Sequence, residues 1–446
     1  MACCRFTMLT RPVKLSRLWR QVGSAISRDW VVKRRYSTGG STQAMGALDG
    51  IRVLDLTRVL AGPFATMILG DLGAEIIKIE KPGVGDETRT WGPPFVDSQS
   101  CYFLSINRNK KSLAVDLKDP RGKQIIIELA KKCDVLVENY VPGKLTSMGL
   151  GYEDLHKVAP QLIYCSISGY GSDGPYAERA GYDVVAASMA GLLHITGPQD
   201  GEPARVGVAM TDLSTGLYSH GAIMAALLQR YKTGKGQKIE CNLLSTQVAL
   251  LTHIAGNYLN AGVEAKRWGT GHGSIVPYQA FKTKDGFYLI VGAGNDKHFS
   301  IVCKLLSLEF LLEDNRYKGN HMRVENRNTL ITTMSDRFSQ KSLKEWLDIF
   351  EGCGIPYGPI NNMQQVFNDP QVQHNNMVQE VQHATVGNVR MTGPAVKYSD
   401  SDNSIHLPPP LLGQHSKEVL QDLLEYDENE VADLIDNHIV ASCKDQ

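Results

Sequence analysis

The chain has 446 residues, 42% hydrophobic and 21% charged, a composition that excludes a disordered chain, a collagen-like chain and a small disulfide-stapled scaffold. Its 47 basic and 47 acidic residues balance, yet nine Lys or Arg and one acid, Asp29, fall within residues 1–40. Residues 41–446 therefore keep 38 basic and 46 acidic side chains, a net charge of −8 that disfavours nucleic-acid binding. No apolar run reaches the roughly 18 residues of a membrane-spanning helix, so no membrane partner is expected.

The first 40 residues have the pattern of a targeting segment. Basic side chains surround one apolar helical face, which is formed by Leu15, Leu18, Trp19, Val22 and Ile26. A basic, acid-poor amphipathic start predicts a mitochondrial transit peptide over residues 1–40 and a protein of the mitochondrial matrix. A basic surface helix that binds membrane or RNA is the alternative.

Residues 48–245 alternate between short apolar runs and helical stretches. Strands are expected at residues 51–56, 75–80, 134–138 and 162–168, with a helix from Gly62. Asp119 and Pro120 predict the capped start of another helix. Because the strands are apolar on both faces, the pattern predicts an α/β fold with a parallel sheet covered by helices.

The pattern of apolar and polar residues changes after about residue 265. Two β-rich runs flank Asp285 and Gly286, which predicts a hairpin followed by helices. We therefore predict a large domain from residues 46–245, a linker at 246–267, and a smaller α+β domain at 268–345. Residues 346–446 are expected to form a further linker and a C-terminal part that packs back on the large domain.

Neither a dinucleotide site nor a metal site has a convincing signature. Residues 169–174 satisfy G-x-G-x-x-G after a strand, but Pro175 follows where the phosphate-binding helix should begin. The nine cysteines contain no C-x-x-C pair and the twelve histidines no H-x-x-x-H pair. We expect no metal and no bound cofactor, and an NAD-dependent oxidoreductase remains a minor alternative.

Asp212 stands at the start of a long apolar helix, expected from this residue to about Tyr231 and largely buried. Asp is a favoured N-cap, and this structural role alone would account for it. A carboxylate ionised by the helix dipole and walled in by apolar surface could also act as a nucleophile towards an acyl group. One residue could serve as both cap and nucleophile.

Seven collinear blocks resemble the class III CoA-transferases. They lie at residues 48–56, 61–63, 72–80, 134–140, 181–183, 354–359 and 410–415. The resemblance covers about residues 48–440 and implies a Rossmann-like large domain built from both chain ends, a smaller domain between them, and an interlocked homodimer. It also implies that the substrates are CoA esters and carboxylic acids.

The resemblance assigns roles residue by residue. It places the nucleophile of the family on Asp212. It places the CoA contacts on Leu60, Ala61, Lys81, Val115, Lys118, Asn139, Tyr140 and Tyr182. Two positions depart from the family pattern, because Ser147 and Ala180 stand where a CoA-binding arginine and a lysine are found, and Lys144 is a possible substitute.

Within the family, the targeting segment and overall likeness favour transfer of CoA from succinyl-CoA to glutarate or a related dicarboxylate such as 3-hydroxy-3-methylglutarate. The implied route passes through an aspartyl anhydride and an aspartyl-CoA thioester. For the distal carboxylate of the acceptor, the expected cation is Arg108, followed by Arg58 and Arg89. A 2-methylacyl-CoA racemase is disfavoured, since Tyr182 replaces the histidine that racemases need. A non-catalytic acyl-CoA binding protein is the other alternative.

Overall fold

A computed structural model of the chain describes residues 45–443, so the predicted transit peptide lies outside the described residues. The strands are β1 (Arg52–Leu56), β2 (Glu75–Glu80), β3 (Phe95–Val96), β4 (Gln99–Ser100), β5 (Lys110–Val115), β6 (Val135–Glu138), β7 (Ile163–Ser168), β8 (Lys238–Asn242), β9 (Tyr278–Lys282), β10 (Tyr288–Gly292), β11 (Tyr357–Pro359), β12 (Val378–His383), β13 (Gly387–Thr392) and β14 (Val440–Ala441). The α-helices are α1 (Ala61–Asp71), α2 (Cys101–Ile106), α3 (Pro120–Lys132), α4 (Tyr152–Val158), α5 (Asp183–Met189), α6 (Leu192–Ile195), α7 (Met210–Thr233), α8 (Leu243–Ala249), α9 (Thr252–Ala261), α10 (Asp296–Leu305), α11 (Phe310–Glu313), α12 (Asn320–Glu325), α13 (Arg327–Phe338), α14 (Leu343–Phe350), α15 (Met363–Asn368), α16 (Pro370–His374), α17 (Ser416–Glu418) and α18 (Glu428–Asp436).

The larger sheet has seven strands in the order β14-β5-β2-β1-β6-β7-β8. All neighbouring strands in it are parallel except β14, which pairs antiparallel with β5 at the edge. Val53 and Leu54 of β1 enter two different hydrophobic cores, one on each face of the sheet. Burial on both faces explains why these strands are apolar throughout. The predicted α/β fold, with a sheet built from both ends of the chain, is confirmed.

The start of α3 follows the predicted capping chemistry. Asp119 accepts a hydrogen bond from the backbone N–H of Arg121, and Pro120 occupies the first helical position. Proline is well placed there, since an N–H at that position would have no partner within the helix.

A second sheet, in the order β11-β10-β9, belongs to a smaller α+β unit with its own core. The core contains aromatic side chains such as Phe338 and Trp346, and the hairpin predicted around Asp285 and Gly286 joins β9 to β10. Strand β11 lies beyond the limit of residue 345 expected from the sequence. The span expected as a linker, residues 246–267, contains α9 and the end of α8.

Helix α7 is longer than predicted, and the expectation that it is largely buried is wrong. One side packs on α1 and the sheet, whereas the other exposes Leu217, Tyr218, Leu228 and Tyr231, with Tyr231 89% exposed. These four residues are defined here as the outer face of α7. No segment between residues 45 and 443 covers this face. No helix in the same span is long and apolar enough to cross a membrane.

Candidate active site

Asp212 is the third residue of α7, and the helix is capped from elsewhere. Ala209 occupies the N-cap position and makes no side-chain cap hydrogen bond, so the predicted N-cap role of Asp212 is wrong. Instead, Asp183 at the start of α5 accepts a hydrogen bond at 3.0 Å from the backbone N–H of Asp212. Asp183 satisfies an N–H that has no partner within the helix, and the Asp212 carboxylate is not engaged in capping.

Burial raises the pKa of Asp212 to about 7, and the neighbouring Asp183 carboxylate acts in the same direction. Position in the first helical turn favours the ionised form through the helix dipole, but here desolvation and the like charge outweigh it. The group therefore changes its charge near neutral pH. A poorly solvated carboxylate of this kind is suited to nucleophilic attack.

Close packing between α1 and α7 brings Asp212 to the start of α1. A Cβ atom on Gly216 would lie 2.7 Å from the carbonyl oxygen of Ala61, so this glycine permits the close approach of the two helices. Asp212 and Gly216 are four residues apart and share one face of α7. The predicted CoA contacts Leu60 and Ala61, which begin α1, therefore lie close to the predicted nucleophile.

The loop between β1 and α1 connects Leu60 to two further predicted CoA contacts. The Asn139 side chain accepts a hydrogen bond from the Arg58 N–H at 2.9 Å and donates one to the Arg58 carbonyl at 2.7 Å. The Arg58 guanidinium lies over the Tyr140 ring, 4.9 Å from its centroid. The structure thus brings together Asn139, Tyr140 and the start of α1.

The remaining predicted CoA contacts are spread over other surfaces. Lys81 and Lys118 are exposed, and Tyr182 is 64% exposed beside α5. Val115 is in the core of the large sheet, 1% exposed and paired with Val440 of β14, so its side chain is not available to a ligand.

The three arginines expected at the acceptor carboxylate are all engaged in ion pairs. Arg108 is buried, with two nitrogens on the Asp71 carboxylate and a third on the Thr392 carbonyl. Arg89 makes a similar bidentate pair with the buried Glu80. Arg58 pairs with Glu87 but remains 40% exposed. All three guanidinium nitrogens of Arg108 are thus engaged within the protein, and the first-choice assignment does not fit the structure.

Three residues near Asp212 were missed by reasoning from the sequence. Asp183 belongs to the recognised block at 181–183, which offered a signal that was not used. Burial together with the Asp212 and Asp183 carboxylates raises the pKa of the Tyr102 hydroxyl, whereas Arg205 acts in the opposite direction. Arg205 is exposed, and its only hydrogen bonds to residues 45–443 are to the Val206 and Gly207 carbonyls, at 3.3 and 3.5 Å.

The part of the chain described by the structure contains no group of three or more His, Cys, Asp or Glu side chains that could hold a metal ion. The candidate site comprises the Asp212 and Asp183 carboxylates at the start of α7, together with Tyr102, on whose hydroxyl both carboxylates and Arg205 act electrostatically.

A Rossmann-like sheet of this topology, with a desolvated carboxylate at the site, agrees with an acyl-transfer enzyme. The chain belongs to CoA-transferase family III, because the sequence model of that family matches residues 48–416. The predicted family resemblance is confirmed, and the chain is an enzyme of the class III CoA-transferases. It is similar to the succinyl-CoA:glutarate CoA-transferase of Homo sapiens, with 62% identity over 393 residues that cover 88% of this chain and 90% of that protein.

Two further similarities extend to bacteria. The succinate–glutarate CoA-transferase of Agrobacterium fabrum is 40% identical over 382 residues, which cover 84% of this chain and 95% of that protein. Among solved structures, a CAIB/BAIF family protein from Brucella suis matches with a TM-score of 0.77 and 40% identity, covering 85% of this chain and all of that one.

Proposed function

We propose that the enzyme transfers CoA from succinyl-CoA to glutarate or a related dicarboxylate such as 3-hydroxy-3-methylglutarate, with Asp212 as the nucleophile. The observation that carries this proposal is the desolvated Asp212 carboxylate in the first turn of α7, four residues before Gly216, at which α7 packs on the predicted CoA-contacting start of α1. The names of the human and Agrobacterium relatives support the choice of donor and acceptor. No cofactor or metal is required, because the thioester is exchanged rather than made.

The first half of the reaction loads CoA onto the enzyme. A carboxylate oxygen of Asp212 bonds to the thioester carbonyl carbon, the C–S bond breaks, and CoA leaves as a thiolate. The thiolate then attacks the Asp212 carbonyl carbon of the mixed anhydride, and succinate departs with the bridging oxygen. The product is an enzyme–CoA thioester at Asp212.

The second half repeats these steps with the acceptor. A glutarate carboxylate attacks the Asp212 thioester and displaces the thiolate, which then attacks the glutaryl carbonyl carbon. Glutaryl-CoA leaves and the Asp212 carboxylate is regenerated, with no net uptake or release of protons. A site that excludes water protects the anhydride from hydrolysis and orients both reactants.

In this proposal Arg205 binds the distal carboxylate of the acceptor, in place of Arg108. The segment that begins at Arg205 leads directly into the first turn of α7, which carries Asp212. The charge of Arg205 acts on the Tyr102 hydroxyl, as the charge of the Asp212 carboxylate also does. No carboxylate within residues 45–443 forms an ion pair with Arg205, so its guanidinium is available to a second anion. Arg58, still partly exposed, is the second choice among the arginines.

The enzyme is further proposed to act as a homodimer in the mitochondrial matrix. The outer face of α7 supports self-association, because four exposed apolar side chains on one helix are typical of a surface that another chain covers. The basic segment at residues 1–40 supports the location. Sedimentation at monomer mass would contradict the dimer, and a reporter fused to residues 1–45 that remained in the cytosol would contradict the location.

The deciding experiment is chromatography of acyl-CoA species after the mature enzyme is mixed with succinyl-CoA and glutarate. We expect glutaryl-CoA to form in step with the loss of succinyl-CoA, and Asp212→Asn to abolish transfer. Free CoA without glutaryl-CoA would contradict the transferase assignment in favour of hydrolysis. Binding without turnover would favour the acyl-CoA binding protein, and epimerisation of a 2-methylacyl-CoA without transfer would favour the racemase.

A further inference from the structure

Four charged side chains are buried together beneath the loop that joins β1 to α1. Asp55, Lys78, Asp86 and Lys110 are each no more than 1% exposed, and they are defined here as the buried charge cluster. The Lys110 ammonium lies 3.0 Å from the Asp55 carboxylate, and the Lys78 ammonium lies 2.9 Å from that of Asp86. None of the four belongs to the reaction steps described above.

Fold stability alone does not account for such a cluster. Removing charges from water is expensive, and a buried ion pair is often no more stabilising than a well-packed apolar pair of similar size. A tightly packed apolar pair would fill the same space between β1, β2 and β5.

The charges bind the backbone of the loop as well as each other. Lys78 donates to the Thr57 carbonyl and Lys110 to the Pro63 carbonyl, each at 2.9 Å. The Asp86 carboxylate accepts the N–H of Val59, at 3.2 and 3.3 Å from its two oxygens. The backbone from β1 to the first turn of α1 is thereby fixed at three points.

The loop conformation needs this restraint. Val59 has φ +67°, a left-handed conformation that is strained for a β-branched residue. Such a conformation persists only when the surroundings enforce it, and it is common near sites of function. Val59 lies directly before Leu60 and Ala61, and Ala61 is the residue against which Gly216 of α7 packs.

We infer that the buried charge cluster positions the Val59–Ala61 backbone relative to Asp212, so that the bound thioester is aligned for attack. The inference rests on the proposed function, because it concerns how acyl-CoA is oriented there. The four residues are positioning residues, which act through the loop without touching the substrate. Small displacements of a reacting group are sufficient to slow a reaction strongly.

The test replaces one pair by apolar residues of similar size, Lys78→Met together with Asp86→Leu. We expect a folded protein in which kcat falls by about 30-fold or more, because the loop is no longer held against Asp212. The control is Arg52→Met with Glu75→Leu, an ion pair between the first residues of β1 and β2. The control is expected to keep kcat within about threefold, as it is remote from the loop.

Turnover per labelled site, with the sites counted by intact-protein mass spectrometry of the CoA adduct on Asp212, is a readout that a purely structural role would not change. A merely destabilised enzyme would have fewer labelled sites but normal turnover per site, whereas a misaligned site is labelled slowly and turns over slowly. A folded double variant with turnover per site within threefold of the wild type would overturn the inference. Wild-type turnover in the same assay tests the proposed function separately.

If the double variant does not fold, Thr66→Val tests the positioning role of the buried charge cluster instead. The Thr66 hydroxyl donates to Asp55 at 2.7 Å, and valine removes this bond while keeping the shape and every charge. A fall in turnover per site of about threefold or more supports the inference, and unchanged turnover refutes it.

Discussion

A single methyl group at Gly216 is predicted to separate the two helices that form the active site. In Gly216→Ala, the new Cβ would lie 2.7 Å from the Ala61 carbonyl oxygen and 3.1 Å from the Phe64 ring. Because an ordinary contact begins at 3.4 Å, the first turn of α1 must move away from α7 by about 0.7 Å. This turn carries the predicted CoA contacts and packs against α7 about one helical turn from Asp212.

The displacement should affect catalysis more than stability. Overpacking is expected to destabilise the fold by about 1–3 kcal/mol, of which the higher helix propensity of alanine recovers about 1 kcal/mol. A shift of this size between nucleophile and substrate is expected to lower kcat/KM for succinyl-CoA by about 10- to 100-fold. The two effects are separated by measuring initial rates and thermal unfolding on the same preparation.

Gly256→Ala provides the control on another helix, α9. Gly256 has no atom within 4 Å of its ideal Cβ position, so alanine should stabilise that helix by about 0.5–1 kcal/mol and leave the rate unchanged. If Gly216→Ala were as active as Gly256→Ala, the close approach of α1 and α7 would not position the site, and the reasoning would be refuted.

Three further outcomes are expected from the charges around the site. The activity should fall as the pH drops through about 7, because the Asp212 carboxylate attacks only when it is ionised. Asp183→Asn should move the midpoint of the kcat/KM profile to lower pH, because it removes a neighbouring negative charge. An unmoved midpoint would exclude Asp183 as a cause of the raised Asp212 pKa. Arg108→Met should destabilise the fold by about 3–5 kcal/mol in denaturant titrations, because it leaves Asp71 buried and unpaired, while the glutarate KM stays unchanged. Arg205→Gln should raise the glutarate KM by about tenfold or more with little change in stability, and a KM equal to that of the wild type would remove Arg205 from the acceptor site.

The sequence was sufficient for most of the large sheet, because its parallel strands are buried on both faces and leave long apolar runs. The same reasoning failed for the outer face of α7. An apolar helix is predicted to be buried from its composition alone. The pattern shows that the side chains are apolar, but it does not show whether the rest of the chain covers them.

Reasoning from the sequence selects a candidate residue where its role depends on neighbours in sequence, and it fails where the role depends on distant partners. Asp212 was selected as the candidate nucleophile from its place before an apolar helix and from the family resemblance. The pairing of Arg108 with Asp71 joins residues 37 positions apart, and its contact with Thr392 spans 284 positions, so nothing local marked this arginine as structural. The left-handed Val59 likewise has no signature, since valine is among the residues least expected there.

The relation between Asp183 and Asp212 explains how a helix start can hold a carboxylate with a pKa near 7. The raised pKa makes the ionised form about 4 kcal/mol less favourable than in water, against the direction of the helix dipole. Asp183 contributes in two ways, since it accepts the Asp212 N–H and adds a like charge nearby. The N–H is thus satisfied by a residue other than Asp212, and the Asp212 carboxylate remains desolvated. A capping role for Asp212 itself would have stabilised its ionised form and weakened the proposed nucleophile.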